Sequence, residues 1–377
     1  MKKIYLDNNA TTALDPQVKQ AMIEMLEVFG NPSSIHWAGQ QAKRYLNESR
    51  ESIALLLGIS EQGLLFTSGG SESVNTALQG VFGASAKRIK VLSSPIEHHA
   101  TLRCLDFLKT QGAQIEYLSV DACGRIDLAE LEEKIDEQTL LVSLLWVNNE
   151  LGNIYPIEKI GEICRSKGAL FHVDGVQGVG KILLSLRGGN IDFFSFSAHK
   201  FHGPKGVGGL FIRQGVQLHP LIYGGRQEHS RRAGTENLMG IWGMKRALEI
   251  ASGESAGRVR SLRDTFEQKL LQKIPHLQIN GDLENRLYNT SNILFKEIDG
   301  ESLLLNLDLQ GVAAAAGSAC ESGSIDPSRV LLALGYSAKE AKASLRFSFS
   351  KFNTLEEVEK TVEIIERVVS RLRLQTD

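Results

Sequence analysis

The sequence lacks any apolar run long enough to cross a bilayer. The longest, around Leu140 to Val147, falls far short of the ~20 residues that a spanning helix needs and reads as a buried strand. It also lacks an excess of one charge. Lys and Arg number 42 against 44 Asp and Glu, a net charge of -2, so no summed field would draw in nucleic acid or an anionic membrane, and a small molecule is the expected partner. Cysteine is scarce: Cys104, Cys123, Cys164 and Cys320 form no C-x-x-C pair and no tight Cys/His cluster. That argues against a disulfide framework and a structural zinc site, and for thiols in a reducing cytoplasm. The opening MKKIYLDNNA has two lysines, but Asp7, Asn8 and Asn9 interrupt any apolar run, so no export signal is expected. Internal repeats of roughly 20 to 50 residues and low-complexity tracts are also missing.

What is present suits an ordinary globular enzyme of two or three lobes: 377 residues, 42% hydrophobic and 23% charged. Asp15 followed by Pro16 opens a helix, and further helical patterns cover 37–57, 237–251, 258–273 and 354–372. Between them stand short apolar runs at 64–67, 90–93, 115–118, 140–147, 169–173, 191–195 and 207–212. Several lack polar alternation, as strands do when helices cover both faces of a mostly parallel sheet. The texture changes near Ser252 to Gly257, where a boundary is expected.

Ligands of open α/β sheets sit beyond the carboxyl ends of the strands. Polar clusters fall at those places: Thr67 to Ser73, Glu97 to His99, Asn148 to Glu150, Asp174 to Gln177, and Ser195 to Lys200. The turn SGGSES, Ser68 to Ser73, could cradle a phosphate on backbone N–H groups at a helix start, although glycine also serves such turns for geometry alone. Asp174 is either an acid at the crevice or a helix cap. Lys200 is either a desolvated amine ready to form an imine or a solvated lysine. Taken together, a strand-end acid and a strand-end lysine match what pyridoxal 5'-phosphate requires.

The strings YLDNNATT (5–12), GNPSSIH (30–36), TSGGSES (67–73), EHHA (97–100), VNNELG (147–152), HVDGVQ (172–177), SAHKFHGPKGVG (197–208), RRAGTEN (231–237), GSACESG (317–323) and LRFSFS (345–350) run in order along nearly the whole chain. They closely resemble the cysteine desulfurases of the NifS/IscS type. The resemblance implies an α/β fold of the aspartate-aminotransferase type (fold type I), with a mostly parallel central sheet, a large cofactor domain at 15–255, and a smaller α+β domain built from 1–14 and 256–377. It implies a homodimer that takes sulfur from L-cysteine, leaving alanine, and passes it to an acceptor such as an iron–sulfur scaffold or to tRNA thiolation. Lys200 would carry the cofactor, Asp174 pair with its ring nitrogen, Gln177 bond its ring hydroxyl and His98 stack on the ring. Gly70, Ser71, Ser197 and His199 would bind the phosphate, with Thr235 reaching the phosphate of the neighbouring subunit. Asn149 would touch the cofactor and, with Arg346, hold the substrate carboxylate. Cys320 would receive the sulfur as a persulfide. No resident metal is implied, Cys320 being the residue that would meet an iron–sulfur cluster in passing.

Ser71 stands where many relatives have threonine, Ala233 at a usual serine and Val74 at a usual asparagine; none of these removes a catalytic group. Glycine, serine and alanine surround Cys320, which favours an exposed, reactive thiol, whereas Cys104 and Cys164 lie in helical patterns as small core residues. An aminotransferase has no use for such a cysteine loop, while a selenocysteine lyase or another enzyme of fold type I is the alternative reading. A non-catalytic sulfur carrier would not need Lys200, Asp174 and His98 together.

Overall fold

A computed structural model describes residues 3–85, 87–183, 185–253, 256–317 and 326–374. Cys320 lies outside them. The large sheet has seven strands among the described residues: β1 (Leu64–Thr67), β2 (Lys90–Ser93), β3 (Gln114–Tyr117), β4 (Thr139–Leu145), β5 (Leu170–Asp174), β6 (Phe193–Ser197) and β7 (Gly208–Ile212). In space they run β1-β7-β6-β5-β4-β2-β3. The pairs β6/β5, β5/β4, β4/β2 and β2/β3 are parallel, and β7 runs antiparallel between β1 and β6. Each expected strand is present, shifted by at most a few residues. Every residue of β1, β2, β4, β6 and β7 is buried, which accounts for the missing polar alternation.

The helices start where their caps allow. In α1 (Pro16–Met25) the Asp15 carboxylate accepts from the Gln17 N–H at 2.8 Å, and Pro16 occupies the first turn, where no N–H is needed. Helix α2 (Trp37–Leu57) ends on Gly58 in the left-handed region. Helix α3 (Gly70–Ala84) follows β1 directly, and α4 (His99–Thr110) follows β2 with His98 as its cap. The C-terminal helix Leu355–Arg373 opens with a capping box of Thr354 and Glu357. No helix among the described residues is long and apolar enough to cross a membrane.

A second sheet orders Ala315–Ala316, Ser344–Ser348, Thr290–Phe295 and Leu277–Ile279, antiparallel throughout. Its core gathers Phe266, Phe295, Phe347, Phe349, Val362 and Ile365, and Ile4 and Leu6 from the other end of the chain pack into it. Ile4–Tyr5 also pairs in parallel with Val312–Ala313. The chain therefore enters through the second lobe, and residues 7–12 pass from it to the carboxyl edge of the large sheet.

Packing beneath that edge is close. A Cβ on Gly175, directly after β5, would lie 2.1 Å from Cζ of Phe194, a buried ring of β6. Gly175→Ala is expected to destabilise the fold by about 1–3 kcal/mol through this overpacking. The check is a lower denaturant midpoint with an unchanged slope; an unchanged midpoint would show that the ring moves aside freely.

Candidate active site

Five crossings leave the large sheet at its carboxyl edge and meet around one cavity of about 300 Å3. From β5 come Asp174 and Gln177, from β6 come Ser197, His199 and Lys200, and from the starts of α3 and α4 come Gly70, Ser71 and His98, with Asn149 beyond β4. Lys200 does not end a strand, as its sequence context suggested; it closes a 3-10 turn, Ala198–Lys200, just after β6. That turn aims its ammonium at the N-terminal segment, where Nζ donates to the carbonyls of Asn9 at 2.6 Å and Ala10 at 2.9 Å.

Burial sets the charges. Burial, then the nearby Arg346 guanidinium, pull the Lys200 amine down to about 8, so an appreciable neutral fraction exists near pH 7. Burial pushes the Asp174 carboxyl up to about 6, and the Val176 N–H at 3.1 Å is the hydrogen bond it accepts. His98 lines the cavity and is exposed there, yet desolvation by the groups packed around it, then the Lys200 charge, pulls it down to about 4, hence neutral. Its Nδ1 accepts from the Ala100 N–H at 3.1 Å, which leaves the proton on Nε2. His199 is held down at about 4 by burial and Lys200, and its Nδ1 meets the Thr11 hydroxyl at 3.2 Å.

Residues with no role assigned from the sequence complete the site. The Asn9 carbonyl accepts from Gln177 Nε2 at 2.9 Å as well as from Lys200. Glu97 is buried beside Asp174, pushed up to about 8 by burial, and accepts from Ser94 Oγ at 2.6 Å and Leu145 N at 3.2 Å. Lys181 donates to Gln177 from behind. Their signal in the sequence is only that polar residues sit within or beside otherwise apolar or recognisable segments.

Other expected site residues lie apart. Arg346 is 5% exposed and does not line the cavity: Nη1 donates to the Asn149 carbonyl at 3.0 Å, and Nη2 pairs with Asp7 at 2.6 Å. Thr235 is exposed and borders a separate cavity of about 110 Å3 beside Arg232, whose Nε reaches Glu72 at 2.9 Å. Gly317 and Ser328, which flank the segment holding Cys320, come together at Glu150: the Ser328 hydroxyl donates to its carboxylate, and a Cβ on Gly317 would lie 3.4 Å from Oε2. Cys104 and Cys164 are buried, and burial raises their thiols to about 11 and about 12. Among the described residues no group of three or more His, Cys, Asp or Glu side chains could hold a metal ion.

Pyridoxal phosphate fits this donor set. Asp174 is a buried acid with one backbone donor and a vacant need for a cationic one, which a pyridinium N–H meets. The start of α3 offers N–H groups to a phosphate beside Ser197, and a Cβ on Gly70 would press to 2.7 Å from Val176 and narrow that cradle.

Residues 4–361 match the family model for aminotransferase class-V. Fold and site together thus define a pyridoxal-phosphate-dependent enzyme of that class. A cysteine desulfurase of Nostoc sp. is 45% identical, the alignment covering 99% of this chain and 94% of the relative. The cysteine desulfurase IscS of Methanosarcina thermophila is 44% identical over 99% of this chain and 93% of its own. Of solved structures, a NifS-like protein matches with a TM-score of 0.92 at 39% identity, over 98% of this chain and 100% of that one. SspA in complex with cysteine matches with a TM-score of 0.84 at 32% identity, over 94% and 100%. The chain belongs to the class-V aminotransferases and, within them, to the cysteine desulfurases.

The raised Asp174 pKa has a consequence for stability. In the cofactor-free protein, the stability that a protonated Asp174 contributes is fully present below its ordinary value of 3.8 and is lost as pH rises through about 6. Asp174→Asn mimics the protonated acid, so at pH 7 it is expected to stabilise the cofactor-free protein by up to about 3 kcal/mol, with the gain vanishing near pH 4, while pyridoxal phosphate is retained poorly. Thermal unfolding of stripped wild type and variant across this range checks it; a gain at pH 7 that persists at pH 4 would assign the effect elsewhere.

Proposed function

We propose that this enzyme converts L-cysteine to L-alanine and takes the sulfur onto Cys320 as a persulfide, with the nine residues around the Lys200 cavity supplying the cofactor and substrate contacts. The observation that carries this reading is their convergence: an amine held near 8, a buried acid and a neutral imidazole share one cavity with a helix N-terminus. Lys200 holds the cofactor, Asp174 takes its ring nitrogen, Gln177 its ring oxygen, His98 its face, and Gly70, Ser71, Ser197 and His199 its phosphate. Bound there, pyridoxal phosphate supplies a sink for the electron pair left at the substrate Cα.

Lys200 Nζ then serves as the base for the Cα proton, and the proton on His98 Nε2 is available for relay to the substrate. Asn149 and Arg346 orient the substrate carboxylate, Arg346 giving up its bond to the Asn149 carbonyl to reach that group while keeping Asp7. The reaction balances internally: the substrate C–S bond breaks, an S–S bond to Cys320 forms, the carbon gains hydrogen, and its two-electron reduction is matched by the oxidation of both sulfurs from the thiol to the persulfide level. The junction of Gly317 and Ser328 at Glu150, next to Asn149, supports delivery of Cys320 from beside the cavity.

We read residues 15–255 as the cofactor-binding unit and 1–14 with 256–377 as the smaller one, supported by the shared core of Ile4 and Leu6 with the second sheet. The enzyme acts as a homodimer, since Thr235 and Arg232 border a cavity of their own that another subunit's phosphate site would complete. It works in a reducing cytoplasm and hands its sulfur to an acceptor protein such as an iron–sulfur scaffold. The buried thiols of Cys104 and Cys164 suit such a compartment.

The decisive assay measures alanine and sulfide from L-cysteine. Wild type is expected to produce both; Lys200→Ala neither, with borohydride reduction of wild type labelling the Lys200 peptide. Cys320→Ala should retain bound cofactor and respond spectrally to L-cysteine, yet yield almost no alanine or persulfide. Alanine production at the wild-type rate by Cys320→Ala, or a label on Lys205, would overturn the assignment.

The dimer has its own test: Thr235→Ala should weaken retention of pyridoxal phosphate by about tenfold without dissociating the dimer seen by light scattering. A fully active monomer would refute the shared site.

A further inference from the structure

Behind the Lys200 cavity lies a second one, of about 430 Å3, bordered by Lys200 itself and by Lys181. Lys181 belongs to the turn that follows β5 and carries Gln177. Within that turn the N–H groups of Gly178 and Val179 bond the Gly175 carbonyl, and those of Lys181 and Ile182 bond the Gly178 carbonyl. The Lys181 ammonium folds back instead onto Gln177, donating to its backbone carbonyl at 3.1 Å and to its side-chain Oε1 at 3.1 Å.

An amide side chain has two nearly isosteric ends, and which end points where is decided by its partners. Here both ends are determined. The Asn9 carbonyl, which can only accept, meets Nε2 at 2.9 Å, and the Lys181 ammonium, which donates, meets Oε1. Gln177 therefore presents its NH2 to the active-site side, with one N–H on Asn9 and the other available to the cavity that Gln177 lines.

We infer that Lys181 is a positioning residue that orients and polarises Gln177 so that its amide N–H, and not its oxygen, faces the ring oxygen of the bound cofactor. The inference rests on the reading of Gln177 given above and deepens it. A donor at that place favours the ionised ring oxygen, whose charge is set by what it can accept. Removing Lys181 strands a buried Oε1 without a donor, which is relieved by turning the amide over and placing an oxygen against an oxygen. Burial, then the charges of Lys200 and Arg346, pull the Lys181 amine down to about 7. The two donated bonds need only two N–H groups, so they are available in both its protonation states.

A simple turn cap would make the same bond to the Gln177 backbone carbonyl, and a double-variant comparison separates the two roles. On the full-length holoenzyme, Lys181→Met is expected to speed loss of pyridoxal phosphate about tenfold or more and to shift its visible absorbance at fixed pH toward the form with a protonated ring oxygen. Lys181→Arg should restore both. In a Gln177→Ala background the same Lys181→Met change should have no further effect on either. Lys181→Gln carries the same comparison should the methionine variant fail to fold.

A wild-type spectrum and retention in Lys181→Met, or an undiminished effect in the Gln177→Ala background, overturns the role of Lys181 while leaving that of Gln177 standing. A wild-type spectrum in Gln177→Ala alone overturns the reading of Gln177 and the inference with it.

Discussion

The active site depends on residues 7–12, a polar strap drawn between the two lobes. The Asn9 backbone carbonyl accepts from Lys200 and from Gln177, so one peptide oxygen sets the positions of two residues from different crossings of the sheet. The strap is itself held at both edges. On the side of the second lobe, Asp7 pairs with Arg346, Asn8 Nδ2 donates to the Ser348 carbonyl at 2.7 Å, and Asn9 Nδ2 donates to Thr290 Oγ1 at 2.9 Å. Toward the large sheet, the backbone N–H and the hydroxyl of Thr12 both donate to the His199 carbonyl, at 3.0 and 2.9 Å. Asn8, Asn9 and Thr12 are buried, and leaving any of these groups unpaired would be costly.

Burial does the electrostatic tuning, and it acts in opposite directions on acids and bases. It raises Asp174 and Glu97, and lowers Lys200, Lys181, His98 and His199. Each group is moved toward its neutral form because charge is poorly solvated there. Neighbouring cations add to this for the bases: Arg346 acts on Lys200, and both act on Lys181. The outcome is an amine that can act as a nucleophile or base near neutral pH and an imidazole that keeps its proton on a chosen nitrogen. Within the sheet the buried His172 ring is satisfied by Ser143 and Ser195, at 2.8 and 2.9 Å, across three strands.

The strands and the main helices were legible in the sequence because each rests on local chemistry, and the candidate residues because their motifs resemble those of a known family. Asp15 with Pro16, and Thr354 with the acids of the first turn after it, signal helix starts that short-range hydrogen bonding enforces. Apolar β-branched and aromatic runs mark strands buried on both faces. The order of the motifs along the chain was enough to point to Lys200, Asp174, Gln177 and His98, and the cavity brings these together. The antiparallel insertion of β7 was not legible, since strand direction depends on which neighbours pair rather than on the residues within the strand.

By itself, then, the sequence determined the elements and the buried composition, which follow from neighbours a few positions apart, and, through the order of its motifs, the identity of the chemical groups. Tertiary structure alone decided that Asn9 meets Lys200 across 191 positions and that Arg346 is engaged by Asp7 across 339. It also decided that Thr235 stands outside the Lys200 cavity and that Lys181 turns back on Gln177. Those relations depend on distances and burial created only when the two lobes close on the strap, and neither quantity is encoded in spacing along the chain.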